Sequence, residues 1–332
     1  MKKIALGSLF IFCSVFILLI ACKKTNSVTT PSSSEENSLQ STVTQNAVDQ
    51  SDLESDDDAI ANDAISAAEL TPGFGKFSTE QNANISTFGI TDSVYIDSTS
   101  LPGIIIDRLA FKLKIPRLIL RYKGIKDLTT GYLKRGTVVV EIMNGKKWID
   151  TGAIIKETYS ITLTRGSKTR TYLGTRILTN VSGGNRFYGL PYTSIYTMHS
   201  YDTVTFDNGA KSICWISRKN SFKKQSLTFI TGGDSTINGN ACTIGGFNRF
   251  GNNFLVQAPQ DIVSTKDCGF YNPLSGMRIY VSTSTSNANN QKITLTYGVD
   301  SSGNQVSSGC AWGYKLNWLK LNGNQGTSII QY

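Results

Sequence analysis

His199 is the only histidine in the 332-residue chain, so any Ser-His-Asp or Cys-His relay must pass through it. Its surroundings, Thr197-Met198-His199-Ser200, carry no recognisable nucleophile motif. One imidazole cannot build the multi-His sites that hold zinc or iron. No C-x-x-C spacing occurs among the six cysteines, which argues against a zinc ribbon or a thioredoxin-type site. After residue 70 the chain has three glutamates (Glu80, Glu141, Glu157) and eleven aspartates, several beside Asn, Gly or Ser, as in Asp207-Asn208-Gly209 and at Asp234. Turn formation accounts for such aspartates without catalysis, although a carboxylate pair for glycoside cleavage is conceivable. There is no phosphate-binding loop or dinucleotide fingerprint. Gly245-Gly246-Phe247-Asn248-Arg249-Phe250-Gly251 opens no helix and reads as a loop. The sequence therefore assigns no catalytic residue, metal ligand or cofactor, and a non-enzymatic role is expected.

Chemistry of another kind is written at the start. Met1-Lys2-Lys3 is followed by an apolar run to Ala21 and then Cys22, the layout of a secretory signal. Leu19-Ile20-Ala21-Cys22 resembles the lipobox of bacterial lipoproteins. There the cysteine thiol takes up a diacylglyceryl group, the signal is cut before it, and the new amine is acylated. Each buried CH₂ contributes about 0.8 kcal/mol and one chain anchors only marginally, so two or three would hold firmly. The resemblance implies a signal over 1–21, lipidation at Cys22 and a place in the cell envelope, on the outer membrane with the face open.

An exported chain can form disulfides. Cys13 leaves with the signal and Cys22 carries lipid, leaving Cys214, Cys242, Cys268 and Cys310. Their three pairings are not distinguished by sequence. Residues 22–70 are rich in Ser, Thr, Asn and Gln, lack aromatics, and carry Asp49, Asp52, Glu54 and Asp56-Asp57-Asp58. Such composition reads as a solvated acidic tether, with a short helix near Ala59–Leu70 as a weaker reading. Residues 71–332 hold 29 basic and 14 acidic residues, about +15. A basic body favours anionic partners, such as lipid headgroups or anionic glycans, and can also draw the acidic segment onto itself. Export makes nucleic acid an unexpected partner.

The body that positions these groups reads as all-β. Thr137–Met143, Tyr159–Thr164, Thr171–Leu178, Thr203–Phe206, Ser226–Ile230, Met277–Val281, Lys292–Tyr297 and Gly313–Leu319 alternate in the period-2 manner of half-buried strands. Asn144-Gly145, Arg165-Gly166 and Asp207-Asn208-Gly209 supply hairpin turns. The pattern predicts many antiparallel strands in hairpins or a meander, as an extended sheet, a sandwich or a solenoid, with a division into two units near 190–200 as one arrangement. Ile104–Tyr122, split by Pro116, reads as two short strands rather than a basic amphipathic helix. Trp148, Trp215, Trp312 and Trp318 are candidates for a sugar-stacking surface, against core packing, which the nearby cysteines favour for Trp215 and Trp312.

Several segments together resemble a group of β-rich lipoproteins from Bacteroidetes-type bacteria. These are Gly131–Met143, Lys168–Val181, Val204–Gly209, and the region from Cys268 through Ile293-Thr294-Leu295-Thr296-Tyr297-Gly298 to Cys310. The chain departs from the group's tyrosine–glycine–aspartate turn, since the aspartate comes later, at Asp300. The resemblance implies an all-β exported lipoprotein and brings no catalytic residues. It also implies a Cys268–Cys310 bridge, with Cys214–Cys242 as the remaining pair. The expectation is thus a lipid-anchored structural or binding domain, with glycan binding or processing as the alternative.

Overall fold

The computed structural model describes residues 33–70, 94–96, 117–126, 131–186, 189–237, 239–270, 272–283, 290–320 and 323–332. The signal, Cys22 and Ile104–Ile115 lie outside them. The chain divides into two compact units, Met1–Ser41 and Thr42–Tyr332, and the packing described below is that of the second.

Among the described residues one helix, α1 (Ser33–Leu70), precedes fifteen strands: β1 (Val94–Ile96), β2 (Arg117–Lys126), β3 (Tyr132–Ile142), β4 (Ala153–Arg165), β5 (Lys168–Asn180), β6 (Thr193–Phe206), β7 (Lys211–Lys223), β8 (Thr228–Gly233), β9 (Ser235–Ile237), β10 (Asn240–Phe247), β11 (Asn253–Thr265), β12 (Ser275–Thr283), β13 (Gln291–Val299), β14 (Gly313–Lys320) and β15 (Gln325–Gln331). All belong to a single antiparallel sheet whose strands neighbour one another in chain order. The all-β expectation thus holds as an extended meander. No break falls near 190–200, because β6 runs through it and pairs with both β5 and β7. Turn chemistry sets the register: Gly166, at φ 61°, lets Arg165 and Lys168 face each other across a two-residue turn.

The order is interrupted once. Both β8 and β10 fill the gap between β7 and β11. β7 pairs with β10 over Ile213–Ile216 and with β8 over Arg218–Lys223. Ser217 marks the fork, and the β9–β10 hairpin starts there.

Residues 42–69 are not a solvated tether: they are helical, and none of them is exposed. The segment has no Gly or Pro, and its alanines (Ala59, Ala61, Ala64, Ala67, Ala68) favour a helix. Thr71-Pro72-Gly73 is a stop signal. Eight carboxylates without a cation would weaken such a helix in water, since like charges at i, i+4 repel. Burial against the basic inner face of the sheet reverses that balance. The core is correspondingly mixed: Val43, Ala47, Ile60, Ala64 and Ile65 pack with Leu118, Val138, Ile155, Leu178, Met198 and Leu295.

Cys268 and Cys310 are bonded, with Cα atoms 5.2 Å apart. The bridge ties the segment after β11 to the loop before β14 and contributes roughly 3–4 kcal/mol on the chain-entropy account. The second pairing is wrong: Cys214 and Cys242 are buried free thiols. Cys214 lies opposite Gly246, four positions along β10 from Cys242, or about 13 Å of strand, beyond the reach of a disulfide.

Candidate functional site

Two chemically distinct regions emerge, one on each face of the sheet. Inside, the sheet meets α1 through a ladder of ion pairs. Asp49 meets Arg249 (2.6 Å), Asp52 meets Arg170 (3.0 Å) and Lys168 (2.9 Å), and Asp56 meets Arg170 (2.5 Å). Glu54 faces Arg278 (3.3 Å), Asp58 faces Arg218 (3.2 Å), Asp63 meets Lys134 (2.6 Å), and Glu69 meets Arg186 (3.1 Å). Asp57 bridges two fully buried guanidiniums, Arg176 and Arg218. Tyr122 and Tyr172 donate their hydroxyls to Asp63 and Asp56 (2.8 and 2.7 Å). Arg249, in the stretch read as a glycine-rich loop, also stacks on Phe206.

Beside this ladder, Arg176 also holds Glu157 (2.7 Å). Tyr159 donates to Asp202, which also accepts from Ser200 (2.7 Å). Gly174 makes the approach possible, because a Cβ there would overlap the Asp202 carboxylate. Asp202 is therefore a buried core group and not a turn former. Burial pushes Glu157 up to about 7 against the opposing pull of Arg176. It pushes Asp58 up to about 7, and Asp202 and Asp49 up to about 6. Helix and sheet close off Glu157 and Asp202, while Asp49 and Asp58 each border a small cavity. Their arrangement fixes where the helix sits, since each carboxylate satisfied in one register is stranded in another.

The outer face carries the other region. His199 on β6 lies opposite Ser217 on β7, and its Nδ1 is 3.1 Å from the Ser217 hydroxyl. The peptide N–H of Asp234 donates to the Ser217 carbonyl (3.2 Å), which brings the Asp234 carboxylate to 3.2 Å from His199 Nε2. Ser235 donates its hydroxyl to Ser217 (2.6 Å). The fork between β8 and β10 thus collects His199, Asp234, Ser217 and Ser235. Sequence spacing could not show this, because the partners come from three strands and one junction. The constellation has Ser-His-Asp composition, yet Ser217 is only 3% exposed and its oxygen is held between His199 and Ser235. A nucleophile must present that oxygen to substrate. His199 and Asp234 are the accessible members.

One step along the same strands and on the same face, Tyr201 lies opposite Trp215, and Trp215 lies opposite Gly245. The indole lies over Gly245, where a Cβ would sit 2.5 Å from its Cζ2. Only glycine lets the ring lie flat there. Tyr201 is 61% exposed, and the next row out brings Leu173, Ile213 and Phe247, all exposed. Trp215 therefore does not serve the core. Trp148 and Trp318 are buried, and Trp312 is exposed beside the disulfide loop.

Among the described residues no group of three or more His, Cys, Asp or Glu is placed to hold a metal, and no helix is long and apolar enough to cross a membrane. Searches against family models, curated proteins and solved structures gave no significant match to this chain.

Proposed function

We propose that this protein is a lipid-anchored cell-envelope protein that binds glycan, without cleaving it, on the outer face of its sheet. The observation that carries the reading is the adjacency of Trp215 and Tyr201 to His199, Asp234 and Ser235. A flat aromatic ring offers its face to the C–H side of a sugar ring, and neighbouring polar groups can pair its hydroxyls. The apolar remainder of the patch, Leu173, Ile213 and Phe247, would extend contact to further sugar units.

The anchor rests on Leu19-Ile20-Ala21-Cys22 and the charged, apolar run before it. In the natural host, Cys22→Ser should abolish palmitate labelling and leave an uncleaved precursor. A Cys22→Ser variant still lipidated and processed would remove the envelope reading.

Binding is tested by a glycan array probed with residues 23–332, keeping α1 as part of the fold. Saturable binding to one sugar class supports the reading, and absence of binding to any glycan contradicts it. Release of shortened oligosaccharides from a bound glycan would contradict the non-cleaving part.

A further inference from the structure

A cavity of about 30 Å³ lies between α1 and the β8–β11 part of the sheet. Ser51, Glu54, Ser55 and Asp58 line one wall, at the i, i+3, i+4, i+7 spacing that shares one helix face. Thr231 and Ser264 line the opposite wall. We propose that this cavity is a binding site for a single alkali-metal cation, held by the Glu54 and Asp58 carboxylates and the surrounding hydroxyl oxygens.

Glu54 supplies the first reason. Its Oε1 accepts from Gln50 (3.0 Å) and faces Arg278 (3.3 Å). Its Oε2 has no hydrogen-bond partner among the described residues although the residue is only 4% exposed. Leaving a buried charged oxygen unmatched is expensive. Asp58 supplies the second: it lines the same cavity, and its Oδ1, 3.2 Å from Arg218, makes no hydrogen bond among the described residues.

The donors select the ion. Every polar side chain named on the walls offers oxygen, which suits hard cations over transition metals. Two carboxylates already facing Arg278 and Arg218 leave less than two negative charges, which favours a singly charged ion. The volume accommodates such an ion with one water, since a water needs roughly 10–15 Å³ on this measure.

The test is thermal unfolding of the full-length chain in sodium, potassium or choline chloride at equal ionic strength. A second arm looks for anomalous scattering from crystals grown with thallium(I). Sodium or potassium should raise the melting temperature saturably by roughly 2–8 °C over choline, and thallium should occupy the cavity. The Ser55→Ala, Ser264→Ala double variant should weaken that cation dependence while melting in choline like the parent. Identical melting in all three salts, with only waters in the cavity, would overturn the proposal. A response to calcium but not to alkali ions would overturn the assignment of a singly charged ion.

Discussion

Asp57 concentrates the logic of the interior in one side chain. It sits between Arg176 and Arg218, each fully buried and each with one further carboxylate. Asp57→Asn would leave two buried guanidiniums short of charge. The expected cost is about 3–5 kcal/mol, the range for breaking one partner of a buried pair, read from denaturant unfolding. Glu157 and Asp202 set a pH signature. Both are raised in the folded chain, to about 7 and about 6, above their ordinary values of 4.5 and 3.8. A carboxyl raised on folding favours the folded state while protonated, and that contribution is lost as pH climbs through the folded value. Stability should therefore fall between about pH 4 and pH 7, and Glu157→Gln should flatten the fall. Wild type and Glu157→Gln with parallel profiles across that window would refute the assignment.

At the scale of elements, α1 is the piece whose role the sequence conceals. Its acidic, aromatic-free composition looks like a tether because compositional reasoning weighs apolar burial alone. The matching charges lie far along the chain, at Lys134, Arg170, Arg176, Arg218 and Arg278. The strands were legible from period-2 alternation and turn residues, since both are local. The β8–β10 fork was not, because a strand's partners are set by long-range pairing. The outer-face cluster depends on that fork, so His199 stood alone on paper and is paired in the fold. It follows that residues 71–332 without α1 should not fold, since the inner face would expose stranded cations. Proteolysis and near-ultraviolet circular dichroism of that fragment would check this. A protease-resistant fragment with native spectra would show the helix to be dispensable.

For the whole molecule, charge is partitioned by depth. Part of the body's basic charge, at Lys134, Arg170, Arg176, Arg186, Arg218 and Arg278, is buried where α1 meets it. The compact unit from Thr42 on, with 29 basic and 22 acidic residues, keeps only about +7. Nonspecific attraction to anionic polymer is accordingly weaker than composition suggests, and recognition falls to shaped features of the outer face. That places the central claim on Trp215. Residues 23–332 and their Trp215→Ala variant should be probed side by side against immobilised glycans, with melting temperatures measured in parallel. The account predicts equal melting temperatures, because the ring packs on the outer face, and about tenfold weaker binding to the selected sugar class, the scale of one lost aromatic contact. Unchanged glycan binding by a folded Trp215→Ala variant would contradict it.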